Sequence, residues 1–240
     1  MSAAFPLIGH SAAAERFLRA RDSGRLHHGW IFQGPSGIGK SIFARRVAGL
    51  MLGASSLDAD ITDETMQLIQ SGGHPDLKWI ERGLNEKGKL RQDITVEQIR
   101  DLNQFFHLRP ALAGWRVGII DALDEMNVSG MNALLKTLEE PPRNALLILI
   151  SHSTQPILPT IRSRCQVLRF YPLEEDDTRS VLTSAGADVD LALDLAPGRP
   201  GYGIELSQTA GAKATQTARA LLRNVRQPNG GVVSAALTST

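Results

Sequence analysis

The feature that most constrains this chain is the run GPSGIGKS at residues 34–41, which matches the pattern G-x-x-x-x-G-K-[S/T] in full. A short apolar run precedes it, and a helical pattern with Ala44, Val47, Ala48 and Met51 on one face follows it. Glycines in such a loop let backbone N–H groups converge on phosphate oxygens, and the following helix adds the positive end of its dipole. The pattern therefore predicts a strand, a phosphate-binding loop (P-loop) and a helix, as in an α/β domain.

Short apolar runs alternate with helical patterns along most of the chain, which is typical of an α/β fold with a mainly parallel sheet. Two helix starts are readable from the sequence. Thr95 and Gln98 have the spacing of a capping box, and Asn127 precedes an apolar helical stripe that the prolines at 141–142 should end. The predicted strands are Trp30–Gln33, Leu77–Glu81, Val117–Asp121, Leu146–Ser151 and Val167–Phe170.

The pattern changes after the last of these strands, because helical signals continue without another strand until residues 231–233. We expect an α/β nucleotide-binding domain at residues 1–172 and a small helical domain at residues 173–208. Residues 209–240 should contain a helix near Ala212–Arg226, and they read as the start of a further domain or as a frayed or truncated end.

Composition excludes several classes of site and protein. The charge is nearly balanced, with 26 basic and 25 acidic residues, so any contact with nucleic acid must come from a local patch. Cys165 is the single cysteine, which excludes an internal disulfide and a thiolate zinc cluster. His74 with Asp76 indicates a turn rather than a metal site, so we expect no zinc. The sequence shows neither a signal peptide nor a membrane span, and we expect a cytoplasmic protein.

The P-loop predicts which groups would hold a nucleotide. Lys40 would reach the β and γ phosphates, and the Ser41 hydroxyl would bind Mg²⁺ together with Asp121 at the end of a strand. The next residue is Ala122, which can neither accept a proton nor orient water. Asp124 and Glu125 are nearby, but a shift of two or three residues changes the direction of a side chain, so neither is assigned as a base. The expected nucleotide contacts here are Gly34, Pro35, Ser36, Gly37, Ile38, Gly39, Lys40, Ser41 and Asp121.

Four stretches together resemble one protein family: SGRLHHGWIFQGPSGIGKS, GGHPDLKWIE, NALLKTLEEPP and ILPTIRSRCQVLRF. They are similar to the delta-prime branch of the bacterial DNA polymerase III clamp loader, which consists of AAA+ proteins related to the gamma/tau subunits. The likeness runs from about Leu7 to Leu206. It implies a RecA-like P-loop ATPase domain, a small helical lid at residues 173–208 and a C-terminal helical collar, of which residues 209–240 would hold only the start.

The resemblance also implies roles for individual residues. Arg164, within Ser163-Arg164-Cys165, would be an arginine finger offered in trans to ATP on an adjacent gamma/tau subunit. The first sensor falls at Ser151-His152, where Ser151 would contact a phosphate or water. The second sensor falls near Gly201, with Arg199 close by. Family ATPases have an acidic residue where this chain has Ala122, so the resemblance implies nucleotide binding with little or no hydrolysis.

Partners and cofactors are implied in the same way. The family predicts gamma/tau and delta subunits in a five-membered ring, a sliding clamp and primer–template DNA as partners, and ATP or ADP with Mg²⁺ as a passive cofactor. The chain would then be a subunit of a DNA-directed DNA polymerase holoenzyme, a nucleotidyltransferase complex. Two alternatives stay open: a self-sufficient AAA+ motor acting on DNA or protein with Asp124 or Glu125 as base, and a P-loop kinase or transferase acting on a small molecule.

Overall fold

A five-stranded parallel sheet is the centre of the described structure, a computed structural model that covers residues 7–60, 62–85, 87–153 and 157–208. All four strand pairs in the sheet are parallel, and the order is β2-β3-β4-β1-β5. The predicted α/β class and the five predicted strands are confirmed, with ends that differ by one residue. The strands are β1 (Gly29–Gln33), β2 (Leu77–Ile80), β3 (Arg116–Asp121), β4 (Ala145–Ser151) and β5 (Gln166–Arg169).

Helices connect the strands and continue after the last one. Both predicted helix caps are present: Thr95 and Gln98 form a reciprocal capping box, and the Asn127 side chain accepts a hydrogen bond from the Gly130 N–H at 2.8 Å. The helices are α1 (Ser11–Asp22), α2 (Lys40–Leu52), α3 (Glu64–Gln70), α4 (Val96–His107), α5 (Val128–Glu139), α6 (Pro159–Arg162), α7 (Glu175–Ser184), α8 (Val189–Leu195) and α9 (Pro200–Ser207).

The core lies on both faces of the sheet, as expected for a parallel sheet covered by crossover helices. Successive residues of β1 alternate between the faces: Trp30 and Phe32 pack in the cluster with α1, α2 and α3, whereas Ile31 packs in the cluster with α4 and α5. Because both faces are buried, the sheet is fixed in register, and the ends of its strands are held at defined positions.

The described chain beyond β5 contains α7, α8 and α9, all within residues 173–208. The three domain ranges stay predictions, and the strand expected at 231–233 and the helix expected near Ala212–Arg226 lie outside the described residues. Among the helices that the structure describes, none is long and apolar enough to cross a membrane.

Candidate nucleotide-binding site

The P-loop connects the carboxyl end of β1 to the first residue of α2. Its glycines are required by conformation and by space. Gly37 has a φ of +82°, and a Cβ added there would lie 2.4 Å from the backbone nitrogen of Tyr202. Gly39 has a φ of +98° and immediately precedes α2. The loop is therefore held in a conformation that directs the N-terminus of α2 towards the space above it.

Lys40 is buried and its ammonium group lies on the loop itself. Nζ donates to the carbonyl oxygens of Gly34 at 2.7 Å and Pro35 at 2.5 Å. Burial lowers the pKa of Lys40 to about 8, although the nearby carboxylates of Asp121 and Asp124 oppose this change. A buried lysine held only by carbonyl oxygens lacks a full counter-charge, and an anion such as phosphate would supply one.

Ser41 and Asp121 meet as the sequence predicts for a magnesium pair. The Ser41 Oγ donates to Asp121 Oδ2 at 2.6 Å, although the two residues are 80 positions apart. Burial raises the pKa of Asp121, but hydrogen bonds from His152 and Ser41 outweigh that effect, so its pKa lies below the usual value. A carboxylate and a hydroxyl oxygen beside a phosphate loop are ligands that suit Mg²⁺, which binds through one or two protein oxygens and substrate phosphates.

A cavity of about 330 Å³ lies against the P-loop. Lys40, Ser41 and Asp121 line its polar part, and His10, which also lines it, donates from Nε2 to the Ile38 carbonyl oxygen at 2.7 Å. Burial lowers the pKa of His10. The apolar residues lining the cavity are Leu7, Ile8, Leu173, Val181 and Ile204. A cavity with a cationic, oxygen-rich end and an apolar end is suited to a ligand that has an anionic part and an apolar part.

The carboxylates that follow Ala122 have partners elsewhere. Asp124 accepts hydrogen bonds from the Ser151 hydroxyl at 2.9 Å, the Ser153 N–H at 3.1 Å and the His152 N–H. Glu125 forms an ion pair with Arg82 at 2.7 Å. Both carboxylates therefore stabilise neighbouring segments: both oxygens of Asp124 accept hydrogen bonds, and Oε2 of Glu125 is paired with Arg82.

Of the two residues at the expected first sensor, His152 lines the cavity and Ser151 does not. Ser151 was expected to contact a nucleotide, but it is fully buried and its hydroxyl donates to Asp124. His152 lines the cavity instead, with Nε2 3.4 Å from Asp121 Oδ1. Its Nδ1 is buried and has no hydrogen-bond partner among the described residues. The physical reason is the period of the strand, because the last residue of β4 points into the protein and the next residue points out.

The segment expected to hold the second sensor contacts the backbone of the P-loop. Gly201 N–H donates to the Gly37 carbonyl oxygen at 2.8 Å, and Arg199 Nε donates to the Ser36 carbonyl oxygen at 2.8 Å. The Arg199 guanidinium also stacks over the Tyr202 ring at 4.3 Å. In this arrangement Arg199 joins α9 to the loop and does not line the cavity.

Arg164 lies at the other end of the sheet from the P-loop. It precedes β5, whose first residue Gln166 pairs with Trp30, whereas the P-loop follows Gln33 at the far end of β1. Four strand residues at about 3.3 Å each separate the two ends by roughly 13 Å. The guanidinium is about one-third exposed and contacts Glu139 at the end of α5. Arg164 therefore cannot serve the P-loop of its own chain.

The region around His74 is a turn, and its polar groups bind one another. His74 Nδ1 accepts from the Asp76 N–H at 3.1 Å. The Asp76 carboxylate is fully buried and accepts the backbone N–H groups of Ala111, Leu112 and Ala113, at 2.7, 2.7 and 3.3 Å. In the part of the chain that the structure describes, no three His, Cys, Asp or Glu side chains group as metal ligands do.

The comparison with protein families agrees with this arrangement. The family described as "DNA polymerase III, delta subunit" matches residues 9–174, a range that includes the P-loop, Asp121 and Arg164. The chain belongs to this DNA polymerase III delta-subunit family. The resemblance found in the sequence is therefore confirmed, and residues 175–208 extend beyond the matched range.

Proteins similar to this polymerase III family member are named as DNA polymerase III subunits or as related to one. DNA polymerase III subunit delta' of Pseudomonas aeruginosa is 39% identical over 140 residues, covering 58% of this chain and 41% of that protein. Subunit tau of Escherichia coli is 33% identical over 179 residues, 73% of this chain and 26% of that protein. A gamma-subunit-related structure from Thermotoga maritima is 19% identical, with a TM-score of 0.45, over 76% of this chain and 49% of that one. The chain thus spans less than half the length of these relatives.

Two side chains near the site of this delta-subunit family member could not be assigned from the sequence. Asp124 fixes the end of β4, and His152 occupies the cavity wall beside Asp121. The signal for His152 was present, since it follows directly after a buried strand. The signal for Asp124 was absent, because its partners are 27 to 29 residues away. The rings of His27 and His28 stack on each other, and His28 donates to the Leu138 carbonyl oxygen.

Proposed function

We propose that this chain is a clamp-loader subunit of DNA polymerase III that supplies Arg164 in trans to ATP bound by a neighbouring gamma/tau subunit. One observation carries the proposal: Arg164 and the P-loop lie at opposite ends of the adjacent strands β1 and β5. A guanidinium that is about one-third exposed at that place lies far from its own nucleotide site. It is suited to the phosphates of another chain in a ring.

The chemistry of a finger suits arginine. A planar, permanently charged guanidinium stabilises the negative charge that spreads over the γ-phosphate oxygens in the transition state. Removing an arginine finger typically lowers the rate at one site by about 10³–10⁵-fold. In a ring with several ATP sites, only the site that faces this subunit is affected, so the loss in total turnover is smaller.

The chain's own site is proposed to bind ATP or ADP with Mg²⁺ passively. Lys40 would meet the phosphates, and Ser41 and Asp121 would hold the metal, which neutralises phosphate charge when it is bound. Ala122 offers no base, and Asp124 and Glu125 have other partners. The nucleotide would therefore bind without being hydrolysed at an appreciable rate.

The partners belong to the proposal as well. Relatives are named delta', gamma and tau subunits of DNA polymerase III, and each is matched over only part of its length. We propose that this chain joins gamma/tau and delta subunits in a five-membered ring that loads a sliding clamp onto primed DNA. Its contact with DNA and the clamp is made as part of that complex.

The test compares Arg164→Ala with Lys40→Ala in the assembled loader. We expect Arg164→Ala to assemble normally but to lower the DNA- and clamp-stimulated ATPase rate and the rate of clamp loading. Lys40→Ala should leave loading largely intact, because no hydrolysis is assigned to this chain's own site. Arg162→Ala is the matched control, since Arg162 is exposed and two residues from Arg164.

The opposite result for the two variants would show that this chain is itself an ATP-hydrolysing motor. If Lys40→Ala stops loading while Arg164→Ala leaves it unchanged, this chain hydrolyses ATP itself and the proposal is wrong. Equal loss from Arg162→Ala and Arg164→Ala would instead show that general positive charge, rather than a specific finger, supports the rate.

A further inference from the structure

Three groups on its own chain hold the Arg164 guanidinium. Nη2 forms an ion pair with Glu139 Oε1 at 2.9 Å, and Nη1 donates to the Thr160 carbonyl oxygen at 2.9 Å and to Ser163 Oγ at 3.1 Å. Glu139 belongs to the sequence LEEPP, whereas Arg164 belongs to SRC. The ion pair therefore joins two sequence motifs that are 25 positions apart.

Glu139 lies at the C-terminal end of a helix, a position at which an acidic residue is unfavourable. It is the last residue of α5, and the unsatisfied carbonyl groups at the C-terminus of a helix repel a negative charge. Its neighbour Glu140 is exposed and forms no ion pair within the described part of the chain. Helix stability thus gives no reason for a carboxylate at position 139, but the contact with Arg164 does.

We infer that Glu139 is a positioning residue that holds the Arg164 guanidinium ready for the γ-phosphate on the neighbouring subunit. This inference rests on the proposed function, because it assigns Glu139 a role only if Arg164 is a finger. Glu139 touches no substrate and acts through Arg164 alone.

Fixing the Arg164 side chain before the reaction lowers the entropy cost of ordering it during catalysis. A free arginine side chain samples many rotamers, and ordering it during catalysis raises the barrier of the neighbour's reaction. The contacts with Glu139, Thr160 and Ser163 fix the guanidinium plane beforehand. Nη1 already donates to two acceptors and Nη2 contacts Glu139, which leaves Nε–H as the donor without a partner among the described residues.

The solvent exposure of Glu139 and Arg164 sets the expected size of the effect on the rate. Glu139 is half exposed and Arg164 about one-third exposed, so the ion pair is screened by water. Exposed pairs are weak, which corresponds to a loss of about two- to fivefold in rate at the affected site rather than the complete loss of a finger. A γ-phosphate with a higher charge can share the guanidinium without displacing the carboxylate.

The test uses the full clamp-loader complex reconstituted with Glu139→Gln, Glu140→Gln or Arg164→Ala. Glutamine keeps the size of the side chain and removes its charge. We expect Glu139→Gln to lower kcat of the DNA- and clamp-stimulated ATPase by part of the decrease that Arg164→Ala causes. KM for ATP should not change, because ATP binds the P-loop of the neighbour. Glu140→Gln should match the wild type.

A double-mutant cycle separates positioning from a structural role. Adding Glu139→Gln to Arg164→Ala should lower kcat no further, whereas a structural defect would add to the loss and lower the unfolding temperature. If Arg164→Ala lowers kcat but Glu139→Gln does not, the inference fails while the proposed function stands. An increase in kcat with Glu139→Gln would also overturn it, because Glu139 would then withhold Arg164. If Arg164→Ala itself has no effect, the proposed function fails, and the inference fails with it.

Discussion

At the scale of one residue, Asp76 shows how a buried carboxylate organises a distant loop. Burial alone raises its pKa, but the N–H groups of residues 111–113 and the charge of Arg116 outweigh this and lower it. A carboxylate with a lowered pKa stabilises the fold above its unfolded pKa of about 3.9, and that stability is lost as the pH falls through the folded-state pKa. Asp76→Asn should therefore lower the free energy of unfolding by about 2–4 kcal/mol at pH 7.

Urea unfolding at two pH values checks this prediction. The difference between wild type and Asp76→Asn should be large at pH 7 and should shrink as the pH is lowered below about 4, where Asp76 begins to take up a proton in the unfolded chain while the folded chain, whose pKa is lower, still resists it. Asp101→Asn, which changes an exposed carboxylate on α4, is the control and should have little effect. A difference that is the same at both pH values would contradict the assignment of the charge as the stabilising feature.

At the scale of one element, α4 depends on its capping box. The Gln98 N–H donates to Thr95 Oγ1 at 3.4 Å, and the Thr95 N–H donates to Gln98 Oε1 at 3.0 Å. Thr95→Ala removes the first bond, and we expect a loss of about 1 kcal/mol in the free energy of unfolding. Thermal unfolding measures the change. Gln104→Ala, in the exposed interior of the same helix, should be neutral or slightly stabilising because alanine has the higher helix propensity.

Helices and strands were predictable because their signals are local. The box at Thr95, the cap at Asn127 and the five strands all follow from residues within a few positions of each other. The phosphate loop was predictable for the same reason. The contacts of Asp124 with the end of β4 and of Glu139 with Arg164 were not, since folding alone brings these segments together. The strand end at Ser151 was predicted correctly, but the inward direction of its hydroxyl, towards Asp124, was not.

At the scale of the whole molecule, nucleotide binding and stability should be linked. A ligand that binds only the folded chain stabilises it by RT ln(1 + [L]/Kd), which is about 2.7 kcal/mol at a hundredfold excess over Kd. We expect ATP or ADP with Mg²⁺ to raise the unfolding temperature of the wild type. Lys40→Ala should abolish that increase, since it removes the buried cation that we propose would meet the phosphates. Turnover by the isolated wild-type chain should be negligible.

Calorimetric titration and a steady-state ATPase assay on the same preparation complete the measurement. Asp58→Asn, an exposed carboxylate away from the cavity, is a suitable control and should keep the stabilisation by nucleotide. An absence of heat with ATP and with ADP would contradict the binding site. Turnover near one per second by the isolated chain, within the usual enzyme range, would contradict passive binding.

The hydrogen bond between the Gly201 N–H and the Gly37 carbonyl oxygen attaches the start of α9 to the P-loop. The last residue of the helix, Ser207, is six residues beyond Gly201, so at about 1.5 Å per residue it is roughly 9 Å from this attachment. A rotation of about 5° at the loop would displace that end by about 1 Å by this geometry. Gln208 follows this helix directly, so a rotation of the loop would also move the end of the described chain.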